Sequence, residues 1–172
     1  MKKYVFRKYT PKYLEFFSSE KKKIVKVLGS PVKIEHVGST AIASLGGKGI
    51  VDIVVGVSKA KLQEAKKKLE KAGYEFREKA SFPERLFLRR DYTYLNRKRR
   101  VHIHLVEFNG RDWREMVSFR NYLLKHPEVV EQYVRIKKEA VKKADGLGDV
   151  YRKHKEKFIK SITKKALRKS PR

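Results

Sequence analysis

Residues 32–41 read VKIEHVGSTA and residues 48–57 read KGIVDIVVGV, and these two segments decide the fold. Apolar and polar residues alternate over residues 32–37, a pattern that predicts a strand with one buried face. Residues 50–57 are rich in β-branched side chains and predict a buried central strand. The small residues between the two strands, 38–47, predict a loop with room for one helical turn.

The flanking segments extend this pattern into an α+β fold. Apolar residues at helical spacing predict one helix that starts at Thr10 and is closed by Gly29, and another that starts after Ser58 and is closed by Gly73. The order of elements indicates a fold whose C-terminal half is helical. The further predicted elements are strands at 4–6, 74–77, 85–90 and 101–108, a turn at 96–100, and helices at 112–125, 127–144 and 149–167.

Length and composition limit the architecture and the chemistry. The 172 residues suit a single domain, for which we expect an α/β core over residues 1–108 and C-terminal helices over residues 110–168. Cysteine is absent, which excludes disulfides, cysteine metal sites and thiol catalysis. The sequence contains neither a membrane-spanning apolar run nor a signal-peptide pattern, so we expect a cytoplasmic protein without a membrane partner.

Net charge is the strongest signal in the composition. Lysine and arginine number 45 against 19 aspartates and glutamates, which gives a formal net charge of +26. Such a charge favours polyanionic partners, namely nucleic acid, nucleotides or anionic lipid. The alternative explanation is a heavily charged surface of the kind found in thermophilic proteins. RNA or DNA is an expected partner through this basic surface, and the oligomeric state stays open.

One carboxylate interrupts the predicted central strand. Strand periodicity puts Val51 and Ile53 on one face and Asp52 on the other. A buried acid is costly unless it is paired, hydrogen-bonded or bound to metal, which makes Asp52 a candidate functional residue. The alternative is a structural aspartate that caps a neighbouring loop. The turn at Gly38-Ser39 could present N–H groups and hydroxyls to a phosphate.

Two histidines share one face of a later strand. Alternation over residues 101–107 sends the apolar side chains to the core face and His102 and His104 to the other face. This spacing suits half of a metal site, or a base beside its partner. The alternative is a pair of half-exposed imidazoles on a polar sheet face. If Asp52 lies on the same face of an adjacent strand, the three side chains form a carboxylate–imidazole cluster.

Several cations have two possible roles. Lys155 lies at helical spacing with Tyr151 and Phe158, so its ammonium group either extends to solvent or points into a phosphate site. Arg120 could pair with a carboxylate or bind a phosphate. A further set of arginines forms a basic rim that could contact a nucleic-acid backbone or discourage strand pairing: Arg85, Arg89, Arg90, Arg97, Arg99 and Arg100.

Several of these segments resemble the signature of the GrpB family. The resemblance covers about residues 4–162 and is most specific between Glu35 and Asp52. The segments that carry it are EHVGSTA at 35–41, Leu45, Lys48, DI at 52–53, HIHLV at 102–106, Trp113, FRNYL at 119–123, HPE at 126–128, Tyr151, Lys155, Phe158 and Ile159.

The GrpB family is grouped with nucleotidyltransferases of the polymerase-beta type. The resemblance implies a mixed sheet flanked by helices, with Gly38-Ser39 at the turn that holds nucleotide phosphates and Asp52 at a metal position. In that superfamily two acids one residue apart, and a third on a later strand, hold two divalent ions. Here the second position is Val54, and the third falls on the histidine pair, whose imidazoles suit manganese or zinc better than magnesium.

The leading hypothesis is a nucleotidyltransferase that binds a nucleoside triphosphate and a divalent metal, with an unknown acceptor. Magnesium or manganese is the expected metal, with zinc as a further option. The alternatives are a catalytically inactive nucleic-acid-binding module on the same fold and a metal-dependent phosphohydrolase. The expected catalytic residues are Asp52, His102 and His104, which together with Glu35 would hold the metal. The expected nucleotide and phosphate ligands are Gly38, Ser39, Thr40, Lys48, Lys155, Tyr151 and Arg120.

Overall fold

Five strands form one mixed sheet in the computed structural model, which describes residues 6–94, 97–145 and 147–169. The strands are β1 (Lys33–Val37), β2 (Val51–Val57), β3 (Glu75–Phe76), β4 (Arg85–Tyr94) and β5 (Arg97–Glu107). The α-helices are α1 (Lys12–Leu28), α2 (Leu62–Lys71), α3 (Arg111–Lys125), α4 (Pro127–Ala144) and α5 (Gly148–Lys169). None of these described helices has the length and apolar character that crossing a bilayer requires.

The order of strands in the sheet is β1-β2-β5-β4-β3, so β5 is central and β1 lies at an edge. The β2–β5 pair is parallel, and the other neighbouring pairs are antiparallel. In the parallel pair, Asp52 stands opposite His102 and Val54 stands opposite His104. Because side chains alternate between faces along a strand, these four residues share one face of the sheet.

Different helices cover the two faces of the sheet. One face contributes Ile53 to a core that includes Ile24 of α1 and Leu69 of α2. The opposite face contributes Val54 to a cluster with Trp113 of α3. Helices α4 and α5 join α3 in a further apolar cluster that reaches the loop after β1. The face that carries Asp52 is therefore the one that the C-terminal helices cover.

The predicted α+β class, the mixed sheet and the main elements are confirmed. Residues 127–144 form α4 with the predicted bounds, and a short 3₁₀ turn, Ser39–Ala41, occupies the small-residue loop. The last predicted helix begins one residue earlier, at Gly148. The predicted strand at 74–77 shortens to the two residues of β3.

The turn predicted at residues 96–100 is wrong over its described part. Residues 97–100 continue β5 and pair with residues 91–94 of β4. Arg100 donates from Nε and Nη2 to the two carboxylate oxygens of Asp91, at 2.6 and 2.7 Å. This cross-strand ion pair stabilises strand structure in a basic segment for which the sequence predicted a turn.

Two further predictions fall partly outside the described residues. Residue 96 of the predicted turn and residues 4 and 5 of the predicted N-terminal strand lie outside them. The neighbouring Phe6 belongs to no strand, and Arg7 forms an isolated antiparallel bridge with Gly47.

Candidate functional site

The parallel register brings Asp52 and the two histidines into one cluster. His102 Nδ1 lies 3.1 Å from Asp52 Oδ1, within hydrogen-bond distance. His104 Nε2 lies 3.8 Å from the same oxygen, close enough for an ion pair but too far for a hydrogen bond. The Asp52 side chain is 24% exposed, so the cluster is accessible from outside the protein. The predicted carboxylate–imidazole cluster is therefore present.

The protonation of this cluster follows from its contacts. Burial raises the pKa of Asp52, but the hydrogen bond to His102 and attraction to both histidines outweigh that effect and hold the pKa far below its ordinary value. An ionised carboxylate can only accept hydrogen bonds, so Nδ1 of His102 carries a proton and donates it to Asp52. In the neutral imidazole, Nε2 of His102 then has a free lone pair and can act as a base.

Gly38 allows the turn to approach the carboxylate. Its backbone has φ +70° and ψ −170°, a region that is nearly exclusive to glycine. A Cβ at this position would lie 2.5 Å from Asp52 Oδ2 and 3.0 Å from Asp52 Cβ. The turn at Gly38-Ser39 and the Asp52 side chain are therefore in direct contact.

The donors around Asp52 do not fit a divalent metal ion. Among the residues that the structure describes, no three His, Asp or Glu side chains are arranged to hold one. Glu35, the fourth expected ligand, binds Arg120, whose Nη1 lies 2.7 Å from Glu35 Oε2. Val54, at the position of the second acid, is fully buried. The metal therefore stays a prediction from resemblance, and no chemistry is derived through it.

Lys48 and Lys155 meet at the ring of Tyr151. The ammonium nitrogen of Lys48 lies 4.5 Å from the ring centroid, and that of Lys155 lies 4.2 Å from it. Both distances are within cation–π range. Tyr151 is only 1% exposed, so this ring is a fixed platform and not a mobile surface group. All three residues were predicted as nucleotide or phosphate ligands, and the structure brings them together.

A third lysine, Lys137 of α4, lies at the same site and is missing from the sequence-based predictions. It is 2% exposed, and its Nζ donates a hydrogen bond to the Gly46 carbonyl. A Cβ on Gly47 would lie 2.6 Å from Lys137 Nζ and 2.8 Å from Ser39 Oγ, so the lysine reaches the loop beside Ser39. Its signal in the sequence is its position: residues 130, 133, 137, 140 and 144 form one buried stripe of α4.

The three lysines make the site electropositive, although burial disfavours their charged forms. Burial, reinforced by the charge of Lys155, lowers the pKa of Lys48 to about 8 and that of Lys137 to about 7. Burial also lowers the pKa of Lys155 to about 8, although the attraction of Asp52 opposes this shift. Lysines lose protons more easily where burial and like charges destabilise the ammonium form. A bound anion would reverse both effects.

Two further predicted residues, Thr40 and Arg120, form hydrogen bonds with residues on either side of the Gly38-Ser39 turn. Thr40 is buried, and its hydroxyl donates to the Ile50 carbonyl at 3.1 Å while its oxygen lies 2.9 Å from His36 Nε2. Burial lowers the pKa of His36 to about 4, so its ring is neutral and Nε2 donates to Thr40. Arg120 donates to Glu35 and, at 2.9 Å, to the His36 carbonyl. Arg120 therefore pairs with a carboxylate, one of its two predicted roles.

Comparisons with known proteins agree on one family. A family model described as GrpB protein matches residues 4–165. The glutamate-rich protein GrpB of Alkalihalophilus pseudofirmus is 33% identical over 150 residues, which span 85% of this chain and 86% of that protein. The crystal structure of conserved protein GrpB from Enterococcus faecalis has a TM-score of 0.82 and 29% identity, covering 96% of this chain and 98% of that chain.

A more distant likeness concerns a cytoplasmic RNA terminal U-transferase. It covers 76% of this chain and 43% of that chain, with a TM-score of 0.43 and 15% identity. A likeness at that level carries no argument about activity.

We expect Gly38→Ala to disrupt the cluster and Gly29→Ala to serve as its matched control. Both glycines have nearly the same backbone angles, with φ +70° and +78°, but a Cβ on Gly29 would contact nothing within 4 Å. Each substitution should cost about 1–3 kcal/mol of stability through backbone strain. Only Gly38→Ala should also shift the imidazole NMR signals of His102. Unchanged His102 signals in Gly38→Ala would contradict the contact with Asp52.

We expect Lys137→Met to stabilise the protein at neutral pH by roughly 1–3 kcal/mol. The pKa of Lys137 in the folded protein, about 7, lies below its ordinary value of 10.5, so the unfolded chain binds more protons and charging Lys137 opposes folding. This penalty is largest at and below pH 7 and vanishes as the pH rises through 10.5, so the advantage of Lys137→Met should shrink from pH 7 to pH 10.

Chemical denaturation at several pH values measures this difference. Lys142→Met is the control, because Lys142 lies exposed on the same helix and should change stability little at any pH. If the free energies of unfolding of Lys137→Met and wild type differ by the same amount at every pH, Lys137 is not a buried, destabilised ammonium group.

Proposed function

The chain belongs to the GrpB family, and from that membership and the lysine cluster we propose that it is a nucleotidyltransferase acting on a nucleoside triphosphate. The triphosphate lies among Lys48, Lys137 and Lys155, beside the turn at Gly38-Ser39. The acceptor is a hydroxyl group. Asp52 and His102 serve as the base that activates it.

The grouping of Lys48 and Lys155 at the Tyr151 ring, with Lys137 at the loop beside Ser39, is the observation that supports nucleotide binding most directly. Three ammonium groups with lowered pKa values form a surplus of buried positive charge that a polyphosphate would neutralise. Ser39 Oγ and Lys137 Nζ both lie close to Gly47, so a hydroxyl donor stands beside one of these cations.

The carboxylate–imidazole pair supports the transfer step. The acceptor oxygen attacks the α-phosphorus, the bond between that phosphorus and the β-bridging oxygen breaks, and pyrophosphate leaves. The acceptor proton passes to Nε2 of His102, whose Nδ1–H remains bonded to Asp52 at 3.1 Å. The lysines stabilise the negative charge that develops on the departing pyrophosphate.

A second candidate is a nucleic-acid-binding module that performs no transfer. The buried Val54 in place of an acid and the net charge of +26 favour it. In that case the affinity for RNA or DNA would fall steeply with salt and would not depend on Asp52.

We expect ATP to bind the native chain and Lys155→Met to weaken that binding by roughly tenfold or more, because a partly buried cation is lost from the phosphate site. Isothermal titration calorimetry measures both affinities. Lys157→Met, which removes an exposed lysine two residues along α5, is the control and should retain binding. Equal losses in the two variants would indicate only a general effect of net charge, as the nucleic-acid module predicts.

We expect ATP affinity to fall between pH 7 and pH 9 and binding at pH 8 to take up protons. Before ATP binds, the three lysines have pKa values of about 7 to 8, and a bound anion raises them, so protons enter with the ligand. Calorimetry in buffers of different ionisation enthalpy measures this uptake. A binding enthalpy that is the same in all buffers would contradict a role for these lysines.

We expect His102→Gln to abolish transfer while ATP binding remains. Incubation of α-labelled ATP with a panel of hydroxyl acceptors, followed by assay of pyrophosphate, measures the reaction. Release of inorganic phosphate in place of pyrophosphate would identify a phosphohydrolase instead.

A further inference from the structure

The cations of the site occupy the role that metal ions have in the superfamily. Two divalent ions held by three carboxylates would supply the positive charge for phosphates. Here one carboxylate, Asp52, is surrounded by Lys48, Lys137 and Lys155, each of which interacts electrostatically with it. We propose, resting on the proposed function, that the triphosphate binds without a divalent ion and that these three ammonium groups neutralise a large part of its charge.

The first support for this inference comes from the possible metal ligands around Asp52. A divalent ion needs several oxygen or nitrogen ligands directed at one point. In the described ranges no three acidic or histidine side chains are so arranged, and Asp52 Oδ1 already accepts from His102 at 3.1 Å. Glu35 is bound by Arg120. A metal ion at Asp52 would lack the second acid, because that position is Val54.

The charge of the site supports the inference independently. Three ammonium groups and one carboxylate leave a surplus of two positive charges when the lysines are protonated. That surplus attracts a triphosphate and repels a free divalent cation, and both effects are strengthened where water is excluded.

The lysines are also held in position before any ligand arrives. Lys137 Nζ is bonded to the Gly46 carbonyl and lies 5.3 Å from the ring centroid of Tyr133. Lys48 and Lys155 lie over the buried ring of Tyr151. Lysines that are already ordered lose less side-chain entropy on binding a phosphate than mobile surface lysines do. Preorganised cations thus supply what coordinated metals supply elsewhere.

The test compares ATP binding to the full chain in EDTA with binding in magnesium and in manganese. We expect the dissociation constant in EDTA to be equal to or lower than that in either metal. We also expect Lys137→Met to weaken binding in EDTA by roughly tenfold or more, and Lys142→Met to leave it unchanged. Binding that requires a divalent ion would overturn the inference and leave the proposed function intact. Absence of binding under every condition would overturn the proposed function itself.

Asp52→Asn should change ATP affinity in opposite directions depending on whether the triphosphate binds without a metal ion or through one held by Asp52. If the lysines act alone, removal of a negative charge beside the phosphates should strengthen ATP binding in EDTA by about three- to tenfold. If Asp52 holds a metal that bridges to the phosphates, the same substitution should weaken binding in manganese. Native circular dichroism and an unchanged unfolding midpoint would confirm that the variant is folded. Weaker ATP binding by a folded Asp52→Asn protein would contradict the inference.

Discussion

The parallel pairing of β2 with β5 is the constraint on which the site depends. Its register puts Asp52 opposite His102, and a shift of one residue would turn Asp52 towards the apolar core. That register is secured from the other face, where Val51, Ile53 and Val55 of β2 are buried beside the apolar residues of β5. The polar cluster is thus positioned by hydrophobic packing that takes no part in its chemistry.

The second determinant is a concentration of positive charge that opposes folding. Lys137 is almost fully buried on α4, and Lys48 and Lys155 share one aromatic ring. Packing by the C-terminal helices keeps these groups together although burial and mutual repulsion disfavour their charged forms. The charged forms of these buried lysines are disfavoured without an anion and would be favoured with one. Perturbed ionisable groups of this kind are common at binding sites.

Period-two alternation predicted that Asp52, His102 and His104 each lie on the strand face opposite the apolar core. The pattern did not determine which strands are neighbours, and parallel pairing depends on contacts far apart in the sequence. Lys137 was missed because a lysine within a helix is normally a solvated residue, and only its place in a buried stripe of α4 distinguishes it. The hairpin was predicted too short, because the bond between Arg100 and Asp91 is invisible until the strands are aligned.

Arg120 has a consequence beyond the site. It binds the carbonyl of His36 on β1, the outermost strand of the sheet, and neutralises the adjacent Glu35. An uncovered edge invites another chain to extend the sheet, and an occupied carbonyl under a bulky guanidinium discourages that growth. Arg120 therefore protects part of the β1 edge from pairing with another chain.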